Sequence, residues 1–104
     1  MTAIAVNQLR PHPGKLAEFI ALGKETKQLA AKHGLTVRLF LSVLAGPAVG
    51  TYSAVFEAAD LAALAAGLQN ITADPAYPSL LDRSVGPDGV ATQLSLSQAT
   101  EIPL

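Results

Sequence analysis

The residues able to do chemistry are few and scattered. His12 and His33 are the two imidazoles. They bracket a helical stretch of about twenty residues, which at ~1.5 Å per residue sets them ~30 Å apart. One chain therefore cannot bring both to one metal ion, and no metal site is expected. His33, at the end of that stretch, suits the negative end of a helix dipole, and His12 lies in a proline-bounded loop. Glu57 and Asp60 are close in sequence, but Asp60 stands where a helix N-cap belongs and Glu57 ends a strand, which leaves no general acid/base pair. Asp88 belongs to a Pro-Asp-Gly turn. No serine sits in a nucleophile elbow, and "GPAVG" lacks the lysine and helix of a phosphate loop. No catalytic residue can be assigned.

Polar groups that interrupt apolar strands remain. Arg38 lies in "LTVRLFLSVL", where it serves either as an ion-pair partner at a subunit seam or as an anchor for an anionic or carbonyl-bearing ligand. Asn7 and Gln8 place amides in a half-buried strand, and such amides need partners from protein, water or ligand. Tyr77 lies between Pro75 and Pro78 in "TADPAYPSLLDR". Pro78 removes a helix hydrogen bond and pushes Tyr77 toward extended geometry. One helix should thus end before Asp74 and a short one run from about Pro78 to Arg83. Tyr77 at the joint either plugs the core or walls a cleft with its hydroxyl.

The elements that must position these groups follow from periodicity. Residues 2–10 alternate as a strand, with Ile4 and Val6 on one face and Ala5 and Asn7 on the other. Lys15 to His33 is an amphipathic helix closed by Gly34. Residues 35–44 and 51–58 form a hairpin around "AGPAVG". Asp60 caps the helix "LAALAAGLQNI", and residues 90–99 alternate again, Val90, Leu94 and Leu96 opposite Gln93, Ser95 and Ser97. The order β-α-β-β-α-β is that of an α+β, ferredoxin-like domain over residues 1–104, an antiparallel four-stranded sheet with both helices on one face.

Composition points the same way. Half of the 104 residues are hydrophobic and 14% are charged, so a chain this short leaves apolar surface outside. The bare sheet face is expected to carry Ala5, Asn7, Arg38, Phe40, Ser42, Ser53, Val55, Gln93 and Ser95. It is too apolar for open water, and the economical arrangement is a homodimer with two such faces packed together. The net charge of −1 and the lack of a basic stripe exclude nucleic acid. No segment reaches the ~20 apolar residues of a membrane span, and "MTAIAVNQLR" lacks the basic start of a signal peptide. The absence of cysteine excludes disulfides and thiolate chemistry and fits a cytoplasmic protein.

The element order, with "VNQLRPHPGKLAEF" near the start and "DPAY" after the second helix, resembles the dimeric α/β-barrel superfamily, which includes antibiotic-biosynthesis-type and haem-degrading monooxygenases. The resemblance spans about residues 2–101. It implies two protomers with back-to-back sheets and a pocket in each between sheet and helices. Haem-degrading members carry an asparagine on the first strand, which Asn7 matches. Their tryptophan on the second helix has no counterpart, and Tyr77 stands in the region of their iron-ligating histidine. Haem degradation is therefore not implied. Cofactor-independent members hold an activated aromatic substrate with polar and aromatic groups of the kinds found at Asn7, Arg38, Tyr52 and Tyr77.

Two readings follow. In one, the chain is a dimeric, monooxygenase-like enzyme without cofactor, and Tyr52, Tyr77, Gln8 and His33 line a pocket for an apolar or aromatic molecule. In the other it is a non-catalytic homodimer, which binds a small molecule or has a structural role. The lack of clustered titratable groups favours the second.

Overall fold

The computed structural model describes residues 1–43 and 50–104. Its elements are β1 (Ala3–Pro11), α1 (Leu16–Lys32), β2 (Thr36–Leu41), β3 (Tyr52–Ala58), α2 (Leu61–Ala73), α3 (Tyr77–Val85) and β4 (Ala91–Thr100). The strands form one antiparallel sheet in the order β2-β3-β1-β4. The helices lie on one face of it, giving the ferredoxin-like α+β arrangement expected from the sequence. The β2–β3 hairpin forms in the register Arg38 opposite Val55. Of the expected "AGPAVG" turn, residues 45–49 lie outside the described residues.

Local chemistry explains the boundaries. Gly34, at φ 81°, ends α1. Its N–H donates to Ala31 O and that of Leu35 to Ala30 O, the paired bonds of a glycine-closed helix end. Leu35 then turns inward and is buried. It lies where a Cβ on Gly67 would reach, 2.6 Å from Leu35 Cγ, so α2 approaches this side chain only because residue 67 has none. Asp60 caps α2, with Oδ1 accepting from Ala63 N at 2.7 Å.

The proline segment breaks as expected, with α2 stopping at Ala73. The short helix is longer than expected. It starts at Tyr77, with Pro78 in its first turn, and runs to Val85. Pro78 is tolerated there because N–H groups in a first turn have no intrahelical partner. Strand β1 also runs one residue past the expected stop, to Pro11, which pairs with Ala91 at the end of the ladder.

Which strand face points inward differs from the expectation. Ala3, Ala5, Asn7 and Leu9 point to the helices, and Ile4, Val6 and Gln8 to the open face. The register fixes this, since Ala5 pairs with Phe56, Asn7 with Ala54 and Val6 with Val55. Ala3 and Ala5 are buried beneath the helices. Ala5, Asn7 and Gln93 thus leave the proposed bare face, whereas Arg38, Phe40, Ser53, Val55 and Ser95 stay on it. In β4, Gln8 pairs with Ser95 but Leu9 with Gln93, so Leu94 is an extra residue. That bulge puts Leu96 on the helix side with Gln93.

No helix of the described residues is long and apolar enough to cross a membrane.

Candidate functional site

Between the sheet and the helices lies a cavity of about 920 Å³. Its floor is kept low by small residues, Ala5 and Ala54, with Asn7 between them on the same face. Phe19 and Gly23 of α1, Leu68 of α2, and Tyr77 and Val85 of α3 wall it. The volume is in the range of small-molecule sites, which are mostly apolar with a few placed polar groups.

Asn7 is one of the polar groups of the sheet floor, with Gln93 and Gln98 of β4. Its Oδ1 is buried with no hydrogen-bond partner, alone in this respect among the described residues. A buried acceptor left unpaired costs about 1–3 kcal/mol, so folding has retained here an oxygen that the described residues do not satisfy.

Of the expected site residues, Asn7, Tyr77 and Arg38 line the cavity, and Gln8, Tyr52 and His33 do not. Tyr77, half-buried, packs against the core at the start of α3. The Arg38 guanidinium is engaged on the open face, donating to Glu57 Oε2 at 3.0 Å and lying 5.7 Å from the Phe40 ring centroid. Gln8 is also on the open face, where its Oε1 accepts from Ser95 Oγ. Tyr52 stands behind Phe19 in an edge-to-face contact at 5.2 Å. Gly23, Lys24, Lys27 and Gln98 line the cavity too without having been singled out from the sequence. The available signal was a glycine in mid-helix.

His33 has a different partner. Its Nε2 lies 2.8 Å from Asp74 Oδ2, which Lys32 Nζ also reaches at 2.9 Å. A carboxylate only accepts, so the shared proton belongs to the imidazole. Asp74 Oδ1 accepts from Ala76 N at 2.9 Å, and Asp74 O from Tyr77 N. The side chain of Asp74 is 4% exposed. The Ala76 N–H first, then His33 and Lys32, hold its carboxyl far below the ordinary carboxylate range. Asp74 thus ties the end of α1 to the joint from which Tyr77 enters the cavity. Arg83 pins α3 to α1 from the other side through both Glu25 oxygens, at 2.9 and 3.1 Å.

No cluster of three or more His, Asp or Glu residues among the described residues could hold a metal ion. His12 Nε2 lies against Thr92 Oγ1, at the opposite end of α1 from His33. The cavity lining contains no histidine.

No protein-family model matches the sequence, and no curated protein matches it. Solved structures do match. SnoaB, a cofactor-independent oxygenase from Streptomyces nogalater, superposes in a mutant form with a TM-score of 0.68 at 19% identity, over 99% of this chain and 95% of its own. A NIPSNAP domain protein from Burkholderia xenovorans gives 0.69 at 14% identity, over 96% and 94%. A Bordetella bronchiseptica protein named for the antibiotic biosynthesis monooxygenases gives 0.70 at 14%, over 98% of each. At such identities the likeness is one of fold. The chain has a ferredoxin-like α+β fold, which it shares with these three proteins.

Proposed function

We propose that this protein binds an apolar or aromatic small molecule in the cavity between sheet and helices, with the Asn7 amide as its hydrogen-bonding group. The observation that carries this reading is the unpaired, buried Asn7 Oδ1 in a wall otherwise made largely of apolar side chains. In the monooxygenase-like form of the reading, no metal or cofactor takes part. There the Asn7 Nδ2 donates to the oxygen of an enolised substrate while Oδ1 accepts from a neighbouring phenolic O–H of that substrate, the substrate's own carbanion reduces O₂, and the apolar wall excludes water. The likeness to SnoaB supports this form. The absence of any carboxylate or imidazole from the described lining supports the non-catalytic form, in which the same cavity only binds.

The working unit is proposed to be a homodimer closed by the open sheet faces. A compact monomer of 10.7 kDa has roughly 5,500 Å² of accessible surface, whereas this protomer has 6485 Å². Phe40, 49% exposed, shares its face with Val6 and Val55, which supports cover by a second copy.

A thermal-shift screen with aromatic acids, quinols and anthrones tests the binding reading. Stabilisation of the wild type by quinols or anthrones, lost in Asn7→Leu, is expected. No response across the panel would contradict it. Oxygen uptake with a responding quinol, absent in Asn7→Leu, separates enzyme from binder.

A further inference from the structure

The cavity is apolar in its walls but one-sided in charge. Lys24 and Lys27 line it, Arg38 borders it with its guanidinium on the open face, and none of the eight Asp and Glu residues does. In a chain of net charge −1 this is not a reflection of composition. Arg38 is neutralised by Glu57, just as Lys15, Lys32 and Arg83 have carboxylate partners. Lys24, Lys27 and, away from the cavity, Arg10 have none among the described residues. The two lysines stand three apart on α1, close enough to repel. Both are exposed, at the rim of the cavity rather than inside it, and salt screens their repulsion.

Gly23 supplies the second observation. It sits inside α1 and lines the cavity, and a Cβ built there meets nothing within 4 Å. Gly67 differs, because Leu35 fills the space its side chain would need. A helix-interior glycine lowers helix stability. At position 23 the chain's own packing does not require one, so the unfilled space beside Lys24 is room left for something else.

We infer that the ligand of this cavity is an apolar monocarboxylate, its carboxylate held by Lys24 and Lys27 and its body lodged against Gly23. The inference rests on the reading of the cavity as a ligand site and adds the chemical class. Two ammonium groups on flexible stems suit a single carboxylate. A phosphoryl group is commonly cradled by clustered backbone N–H groups or by arginine forks, and the one arginine here is already paired.

The test compares 1-pyrenebutyric acid with 1-pyrenebutanol, which has the same ring and chain but no charge, by fluorescence titration. The wild type is expected to bind the acid about tenfold more tightly than the alcohol, a gap that narrows as NaCl is raised. In Lys24→Gln/Lys27→Gln both ligands should bind alike, at the affinity of the alcohol. Lys15→Gln, which removes a lysine outside the cavity, should behave as the wild type. Gly23→Leu should weaken both ligands about tenfold without lowering Tm. Equal binding of acid and alcohol by the wild type, or a preference for the acid that survives in the double variant, would overturn the carboxylate assignment and leave the cavity standing as a ligand site. Unchanged affinities in Gly23→Leu would overturn the placement of the ligand body. Binding of neither ligand by the folded wild type would overturn the cavity reading and this inference with it.

Discussion

His33 Nε2 and Asp74 Oδ2 lie 2.8 Å apart and join the end of α1 to the joint between α2 and α3. With Lys32 and the Ala76 N–H, they leave a buried carboxylate fully partnered. Asp74 titrates below the ordinary carboxylate range when folded and near 3.9 when unfolded. Its contribution to stability is therefore complete above about pH 5 and lost as the pH falls below ~3.9. Asp74→Asn should lower Tm by several degrees at pH 7, and the gap from wild type should close toward pH 2. Thermal unfolding followed by circular dichroism from pH 2 to 7 checks this. A pH-independent gap would contradict it.

The two helix glycines should respond oppositely to alanine. Gly23→Ala fills open space and gains helix propensity, so it should stabilise by about 0.5–1 kcal/mol. Gly67→Ala drives a methyl into the buried Leu35 and should cost about 1–3 kcal/mol despite the same propensity gain. Urea unfolding of both variants measures the difference.

Asn7→Leu keeps approximate size and removes the unpaired amide oxygen. Folding stability should rise by about 1 kcal/mol while affinity for a hydrogen-bonding aromatic ligand falls at least tenfold. The opposed signs, read by urea unfolding and by titration, separate a ligand-binding group from a structural one.

Val55 lies on the open face, paired with Val6 and Arg38. Val55→Asp would bury a charge at the proposed dimer seam. Light scattering should report twice the 10.7 kDa chain mass for the wild type and the single chain mass for the variant. A monomeric wild type would remove the dimer from the account.

The fold was legible because it rests on periodicity and punctuation. Asp60, Gly34 and the Pro75–Pro78 pair stop and start elements by local chemistry that neighbours cannot override. The inward face of β1 was not legible. Alternation separates Ile4 and Val6 from Ala5 and Asn7 but does not say which set is covered, and the choice of larger residues for the core reversed it. Alanines fit beneath closely packed helices, and the larger pair lies on the open face, half-buried by its own neighbours. In the candidate site, Asn7 and Tyr77 could be named because an amide in a strand and an aromatic between prolines are locally odd. Lys24 and Lys27 could not, since a lysine on a helix flank looks the same whether it faces a cavity or solvent. Asp74 was legible only as the residue after the second helix, because its partners Lys32 and His33 lie more than 40 residues away.

The central claim is that a ligand enters the helix side of the sheet and meets Asn7. Titration of ¹⁵N-labelled protein with 2-naphthol, followed by two-dimensional NMR, tests it most directly. The account predicts that the Asn7 side-chain amide pair and the Gly23 backbone amide shift together and saturate with one dissociation constant. Saturable shifts confined to open-face residues such as Val6 and Ser53, or none at Asn7, would contradict it.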